Sequence, residues 1–429
     1  MEKREMTKLY PMLSVEEALE QVLSYFHPLE PERVPIIEAL GRVLAEDIYS
    51  EIDIPPRANS AMDGYAVLAA DTTAAGPQTP KRLRIIGDLA AGYVTETEVT
   101  PGTAIRIMTG APIPPGADTV VRFEDTERDG EWVNIFVAVP VGKNVRPAGE
   151  DVRRGELVLR RGTRIRPQEV GMLASVGHKE VMVIRRPRVA ILATGDEVVE
   201  VDAPLEPGKI HNSNSYSNAA QVLKYGGIPI MLGIARDQVQ ELTEKIRAGL
   251  AQGVDLFLVS GGVSVGDFDV VKNVLAAEGE ITFWRVRMKP GKPLAFGRIG
   301  GVPLLGMPGN PVSVMVSFEL FARPAILTML GITDLEKPTV EAILLDEVKR
   351  KDGRRHFLRV YVEGKEGEYY AHLTGEQGSG ILSSMVKANG LAIIPEEWSR
   401  VAAGERVRVM MLDWDERSHP FADWKRAEG

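Results

Sequence analysis

The chain contains no cysteine among its 429 residues. That absence rules out disulfides, thiolate nucleophiles, and zinc or iron–sulfur sites held by cysteine. It also suits a reducing compartment. Histidine is scarce and scattered (His27, His178, His211, His356, His372 and His419), and none of the six falls in a metal-ligand spacing such as HExxH. A histidine metal site is therefore not expected. The sequence shows no unbroken run of about 20 apolar residues, so no membrane span is expected. Its start, MEKREMTKLYPMLS, lacks the apolar stretch of a signal peptide. The expectation is a cytoplasmic protein with no membrane partner. Positive charge does not dominate either: 51 Lys and Arg stand against 60 Asp and Glu, a net charge of −9. A nucleic-acid coat is excluded, although a local basic pocket for a small anion is not.

What is present is a soluble composition, 44% hydrophobic and 26% charged, in a chain long enough for several domains. Residues 14–27 predict an amphipathic helix, with Ser14 as N-cap and Glu17 completing a capping box. A second short helix is expected over 36–45. Between about 52 and 141, short alternating apolar runs separated by Gly/Pro turns predict an all-β module. From 187 to 330, buried-strand runs alternate with helical ones, which predicts repeated βα units and a parallel sheet. Ligands of such sheets sit beyond the carboxyl ends of the strands. The polar motifs fall there: Thr194-Gly195-Asp196-Glu197, Asp237, Ser260-Gly261-Gly262 and Gly306-Met307-Pro308-Gly309. Residues 338–415 read as β again, with a hairpin turn expected at KDGRR.

Each motif has a chemical reading and a plainer one. The glycines of SGGVSVGDFD (260–269) would let a backbone approach an oxyanion closely, or would form an ordinary βα turn. The carboxylates Glu197, Asp237, Asp267 and Asp269 lie at strand ends, where they would ligate a hard cation or cap helices. Capping suits Asp267, ligation suits Glu197 and Asp269, and Asp237 fits either role. In MKPGKP, Lys289 and Lys292 sit on a stiff turn where two ammonium groups would meet a dianion, or remain solvated. MPGNPVS (307–313) offers a helix N-terminus and the Ser313 hydroxyl, or capping by Asn310 with Pro311 in the first turn. Asp63 and Thr109 each read alone as turn residues. The basic run KRKDGRRHFLR (349–359) reads as a solvated hairpin face.

In order along the chain, NSAMDGYAV, MTGAP, GEDV, ATGDEV, SGGVSVGDFD, KPGKP, MPGNPVSV and GSGILSSMVKANGL resemble the molybdopterin molybdenumtransferase family, which includes MoeA and the E-domain of gephyrin. The resemblance runs from about residue 14 to 412. It implies an elongated multidomain protein of α/β plus β class. Its parts would be a split N-terminal domain (10–50 and 145–180), a β domain (51–144), a parallel-sheet α/β molybdopterin-binding domain (181–332) and a C-terminal β-barrel-like domain (338–415). It further implies a homodimer that inserts molybdenum from molybdate into adenylylated molybdopterin, with Mg2+ required and AMP released. A molybdopterin adenylyltransferase would be the upstream partner. Carried over by motif, the functional acids are Asp63, Asp151, Glu197, Asp237 and Asp269, with Thr109 beside Asp63, and Glu197 and Asp269 as the metal ligands. The substrate and molybdate contacts are Ser260, Gly261, Gly262, Lys289, Lys292, Pro293, Pro308, Ser313, Arg354 and Ser384. Arg355 competes with Arg354 for its place, and Ser379 and Ser383 compete with Ser384. Two rival readings are a molybdopterin adenylyltransferase, because such enzymes share the SGG loop, and a non-catalytic gephyrin-like scaffold.

Overall fold

The structure, a computed structural model, describes residues 12–262 and 270–413. It divides into two compact units, one of residues 33–183 and one of 12–32 with 184–413. Helix α1 (Val15–Leu23) opens the second unit with the predicted capping box. The Ser14 backbone N–H donates to Glu17 at 2.7 Å, and the Glu17 N–H donates to the Ser14 hydroxyl at 3.1 Å. The buried face of α1 is Val15, Ala18 and Val22, the spacing of one helical stripe. The sequence reading assigns residues 10–50 to a split N-terminal domain. Helix α1 departs from that assignment, because these three side chains join the core that contains Phe283 and Phe296.

Residues 33–183 hold a six-stranded sheet of β1 (Gly64–Val67), β2 (Lys81–Leu89), β3 (Thr103–Ile107), β4 (Thr119–Arg122), β5 (Thr126–Asp129) and β6 (Trp132–Ile135). The strand order is β4-β1-β3-β2-β6-β5, and apolar clusters form around Tyr65, Val121 and Ile135 and around Ile105, Ile107 and Val120. Gly64 is forced by this packing: a Cβ there would overlap the Val121 carbonyl of the neighbouring strand. A separate core in this unit joins Val34, Leu44 and Ile48 to Ile165, Leu173, Val181 and Val183. Helix α2 (Pro167–Ser175) supplies Leu173 to it and starts at a capping box in which Arg166 grips Glu169. The short helix expected over 36–45 does not form. Those residues make turns between Pro35 and Gly41 (φ +78°), and Val43 and Leu44 then bridge to Arg164 and Val183 in extended form.

The second unit contains the α/β layer in the predicted order: β7 (Arg188–Thr194), α3 (Ser213–Lys224), β8 (Ile228–Ala235), α4 (Val239–Ala251), β9 (Leu256–Ser260), α5 (Val270–Glu278), β10 (Gly279–Arg285), β11 (Met288–Lys289), β12 (Pro293–Ile299) and β13 (Val302–Met307). The sheet runs β8-β7-β9-β13-β12-β10. Its first four strands are parallel, β12 runs antiparallel to β13, and β10, antiparallel to β12, runs with the first four. The fully parallel expectation fails at this edge. Only Gly300-Gly301, both with positive φ, separates β12 from β13, and a parallel crossover needs about a dozen residues.

Helix α6 (Pro311–Met329) is long and apolar enough to cross a membrane by length and composition, yet 78% of that stretch is buried inside the protein. It is a core helix. Its middle widens into a π-helical turn, Phe318–Ala322, which carries Glu319.

The last module is a ring of β14 (Thr339–Leu344), β15 (Arg355–Lys365), β16 (Glu368–Leu373), β17 (Gly390–Ile394) and β18 (Arg406–Met411). Pairings β14–β16, β16–β15, β15–β17, β17–β18 and β18–β14 close it into a five-stranded barrel. Alternate residues Leu358, Val360 and Val362, and Val407, Val409 and Met411, fill the interior. Phe357, Leu391 and Met410 point the other way, into the α/β core. The hairpin expected at KDGRR lies elsewhere: β15 and β16 turn at Glu366-Gly367, both with positive φ.

Two groups in these cores make sharp stability predictions. Glu319 and Lys337 form a 3.0 Å ion pair with side chains only 5% and 7% exposed, and Tyr225 and Gln221 also donate to Glu319. Replacing Glu319 by Ala leaves a buried ammonium unpaired and should cost about 3–5 kcal/mol by chemical denaturation. Hydrogen bonds from Arg166 outweigh burial and hold the Glu169 carboxyl at about 2, below its ordinary 4.5. A depressed folded value stabilises above the ordinary value and loses that stabilisation as the pH falls through the folded one. The melting-temperature gap between wild type and Glu169→Gln should therefore be full above pH 4.5 and shrink toward about 2.

Candidate functional site

Three parallel strands end side by side, with Ala193 paired to Ser260 and Ser260 to Met307. The chain turns sharply after Ser260 through Gly261 (φ +89°) and Gly262 (φ +62°), and the Gly261 N–H donates to Met307 O at 3.0 Å. A Cβ on Gly261 would strike the Thr194 carbonyl, and one on Gly262 would sit 2.8 Å from the Thr194 hydroxyl. Only glycine permits this approach. Beneath the turn, the hydroxyls of Thr194 and Ser260 are buried, 3% and 2% exposed as residues, with no hydrogen-bond partner. Buried hydroxyls in that state call for a ligand or solvent atom. Asn214 of α3 reaches the same strand ends and donates to Gly309 O at 2.8 Å.

On the neighbouring strand tips, Asp196, Glu197 and Asp237 gather. The Asp237 N–H donates to Asp196 Oδ1 at 3.4 Å. The carboxyl of Asp237 is raised, first by burial and then by the like charges of Asp196 and Glu197. Asp237 does not cap α4: the N-cap is Gln238, and it makes no side-chain cap bond. Asp196 belongs with the two predicted acids, although only its place in the TGDE motif marked it. Among the described residues, no group of three His, Cys, Asp or Glu side chains is already arranged to hold a metal ion. Asp267 and Asp269 lie outside the described residues.

The lysine turn leads to a second, basic cluster. Strand β11 pairs in parallel with β15, which places Lys289 opposite His356. Gly291 (φ +99°) packs between Met288 and Ser317, so the turn is held from below. Asp352 lies at the centre of the cluster. It accepts from Arg354 Nη2 at 2.6 Å and His356 Nε2 at 2.8 Å, with Lys289 Nζ at 3.8 Å. Arg350 is buried and donates Nη1 to Arg354 O, while its Nε and Nη2 have no partner. Burial works to raise the Asp352 carboxyl, but the bonds from His356 and Arg354 hold it well below the usual carboxylate range. The solvated-face reading of 349–359 holds for the exposed Lys349 and Lys351 but fails for Arg350, His356 and Arg359, which are buried.

The paired alternatives for the anion contacts have different surroundings. Arg354 lies in the cluster with Lys289, whereas Arg355 pairs with Glu16 and with Glu396 at 3.2 Å. Ser384 is buried, donates to Ile381 O at 2.6 Å and accepts from Arg359 Nε at 3.0 Å. Arg359 also donates to the carbonyls of Glu376 and Gly378, and burial lowers its guanidinium to about 10. The half-buried Ser379 lies on the preceding loop and the exposed Ser383 beside Ser384 in the short helix Leu382–Val386, and Ser379 O accepts from the Val312 N–H at 3.1 Å. Ser313 is buried in the first turn of α6, and Pro311 takes the predicted first position there. Asn310 is the N-cap residue but makes no side-chain cap bond. Pro308 is buried between β13 and that helix, Pro293 opens β12, and Lys292 is half-buried.

In the other unit, Asp63 and Thr109 come together. Asp63 Oδ1 accepts from both the backbone N–H and the hydroxyl of Thr109, each at 2.7 Å. The backbone bond, then the hydroxyl bond, lowers the Asp63 carboxyl, so an exposed and oriented carboxylate results. Asp151 is exposed, and its N–H donates to Ile54 O at 2.9 Å.

Family models match nearly the whole chain. Residues 13–177 match the MoeA N-terminal region (domain I and II), 190–328 a probable molybdopterin binding domain, and 341–412 the MoeA C-terminal region (domain IV). The chain is 37% identical over 410 residues to molybdopterin molybdenumtransferase 2 of Mycobacterium tuberculosis, covering 94% of this chain and all of that one. It is 37% identical over 402 residues to the molybdopterin molybdenumtransferase of Haemophilus influenzae, covering 93% and 98%. Among solved structures, a molybdopterin biosynthesis moea protein from Pyrococcus horikosii superposes with a TM-score of 0.82 at 35% identity, covering 94% of this chain and all of that one. Strand-tip glycine turn, closed barrel and ordered motifs thus occur in a chain that belongs to the molybdopterin molybdenumtransferase (MoeA) family.

Proposed function

We propose that this protein inserts molybdenum from molybdate into adenylylated molybdopterin, releasing AMP and forming the molybdenum cofactor. The observation that carries this reading is the basic cluster in which Lys289 and Arg354 flank Asp352 and the buried Arg350 lies behind them, in a chain of net charge −9. Such a concentration of donors in an acidic protein suits a small tetrahedral dianion. Lys289 and Arg354 would hold molybdate through charge-assisted bonds, with Lys292 on the same turn. The orphaned hydroxyls of Thr194 and Ser260, under the Gly261-Gly262 turn, would orient the phosphates of the adenylylated pterin. In its own unit, Asp63, held ionised by Thr109, would accept from a hydrogen-bond donor of a ligand. Glu197, Asp237 and Asp196 would offer oxygen ligands to Mg2+, and a cation there would offset both the burial and the like charges that raise the Asp237 carboxyl. When bound, the metal would neutralise charge on the phosphoanhydride as it breaks. The protein's own share is positioning, since the dithiolene sulfurs of the substrate take the molybdenum and no protein thiol is required. A homodimer is part of this reading, and light scattering on the eluting peak should give twice the chain mass.

The test is a single-turnover assay with adenylylated molybdopterin. AMP release that depends on molybdate is the expected result. Pyrophosphate release from ATP and molybdopterin would instead favour an adenylyltransferase. Lys292→Ala and Glu197→Ala should each lower the rate by about 100-fold, the scale of losing one aligned electrostatic group. Full activity in a chain carrying both changes would mean that the site lies elsewhere. Asp63→Ala should leave the melting temperature unchanged, because the side chain is exposed, and lower turnover by more than about tenfold through lost orientation.

A further inference from the structure

We propose that Asp352 is an internal counter-ion that occupies the oxyanion pocket, and that a tetrahedral dianion must displace its carboxylate from Arg354 and Lys289. The inference rests on the anion-site reading above and adds how that site chooses its ligand. Three observations support it. First, the Asp352 carboxylate takes the donors an incoming anion would need: Arg354 Nη2 at 2.6 Å, His356 Nε2 at 2.8 Å and Lys289 at 3.8 Å. Second, the cluster is short of acceptors even with Asp352 in place. Arg350 is 7% exposed, its one hydrogen bond goes to Arg354 O, and its Nε and Nη2 bond to nothing. A buried cation with open donors is costly and is served by a further acceptor. Third, the Asp352 carboxylate is reached from solvent, the side from which an incoming anion would arrive. The Asp352 side chain is 27% exposed, and a Cβ built on the adjacent Gly353 (φ +61°) would meet nothing within 4 Å.

The charges set the selectivity. Burial disfavours the cationic form of His356, against the pull of Asp352. Glu396 and Glu397 also act on Arg350, so Lys289 and Arg354 are the cations that Asp352 itself neutralises, and its departure leaves two positive charges for a dianion. A monoanion brings no more charge than the tethered carboxylate it would have to replace, so it competes poorly. A dianion brings twice that charge, and the released carboxylate can turn to the open donors of Arg350. The pocket thus discriminates by charge rather than by size alone.

Calorimetric titration of the full chain with molybdate and with perrhenate, a tetrahedral monoanion, tests this. Wild type should bind molybdate and bind perrhenate at least about tenfold more weakly, which corresponds to about 1.4 kcal/mol. Asp352→Asn should bind molybdate about fivefold more tightly and narrow the gap to perrhenate. Asp352→Glu retains a carboxylate and should keep the wild-type preference, which also separates the charge effect from damage to the loop. Weaker or unchanged molybdate binding in Asp352→Asn overturns the counter-ion role, because an acid that merely positions Arg354 would give that result. Lys289→Ala separates the two levels. If it binds molybdate as wild type does, the anion-site reading fails and the inference fails with it. If it loses binding while Asp352→Asn also weakens, only the counter-ion role is lost.

Discussion

Helix α6 is apolar around most of its circumference, and such a helix in water must be covered on every side. The core of the second unit answers that demand. The α/β sheet covers α6 through Ile191, Leu258 and Leu305, helix α1 through Val15 and Ala18, and the barrel through Phe357, Leu391 and Met410. Its first turn is thereby fixed against the tip of β13, and its π-helical middle places Glu319 where Lys337 neutralises it on the way into the barrel. The ends of the parallel strands and the root of the barrel are positioned relative to one another by this one buried cylinder.

Much of this was legible in the chain because the signals were local and periodic. The capping box of α1, the alternation of buried strands with helices and the long apolar stretch after Asn310 each depend on neighbours a few residues apart. The misreadings arose where a distant partner decided the outcome. Val43 and Leu44 have a helical neighbourhood in sequence, but bridges to Arg164 and Val183 hold them extended. Strand β12 looks like its parallel companions, and only the two-residue connection to β13 reverses its direction.

The candidate site shows the same division. Residues that act through their own backbone, such as Gly261 and Gly262, were legible, because a glycine pair after an apolar strand has few other reasons to exist. The meeting of Asp63 with Thr109 was implied by motif rather than by spacing. The roles of Arg350, Asp352 and His356 were not legible. A basic run in sequence looks solvated until β11 lies beside β15 and buries it. The bond from Arg359 to the Ser384 hydroxyl was equally hidden, since the two residues lie 25 positions apart in sequence.

The pairing of β11 with β15 is only two residues long, yet it joins the sheet layer to the ring. The cation cluster is consequently not portable. Lys289 travels with one module and Arg350, Asp352, Arg354 and His356 with the other, so neither could be exchanged by recombination without dissolving the pocket. A lineage that shed the barrel would keep the glycine turn at the strand tips but be left with Lys289 alone of the five.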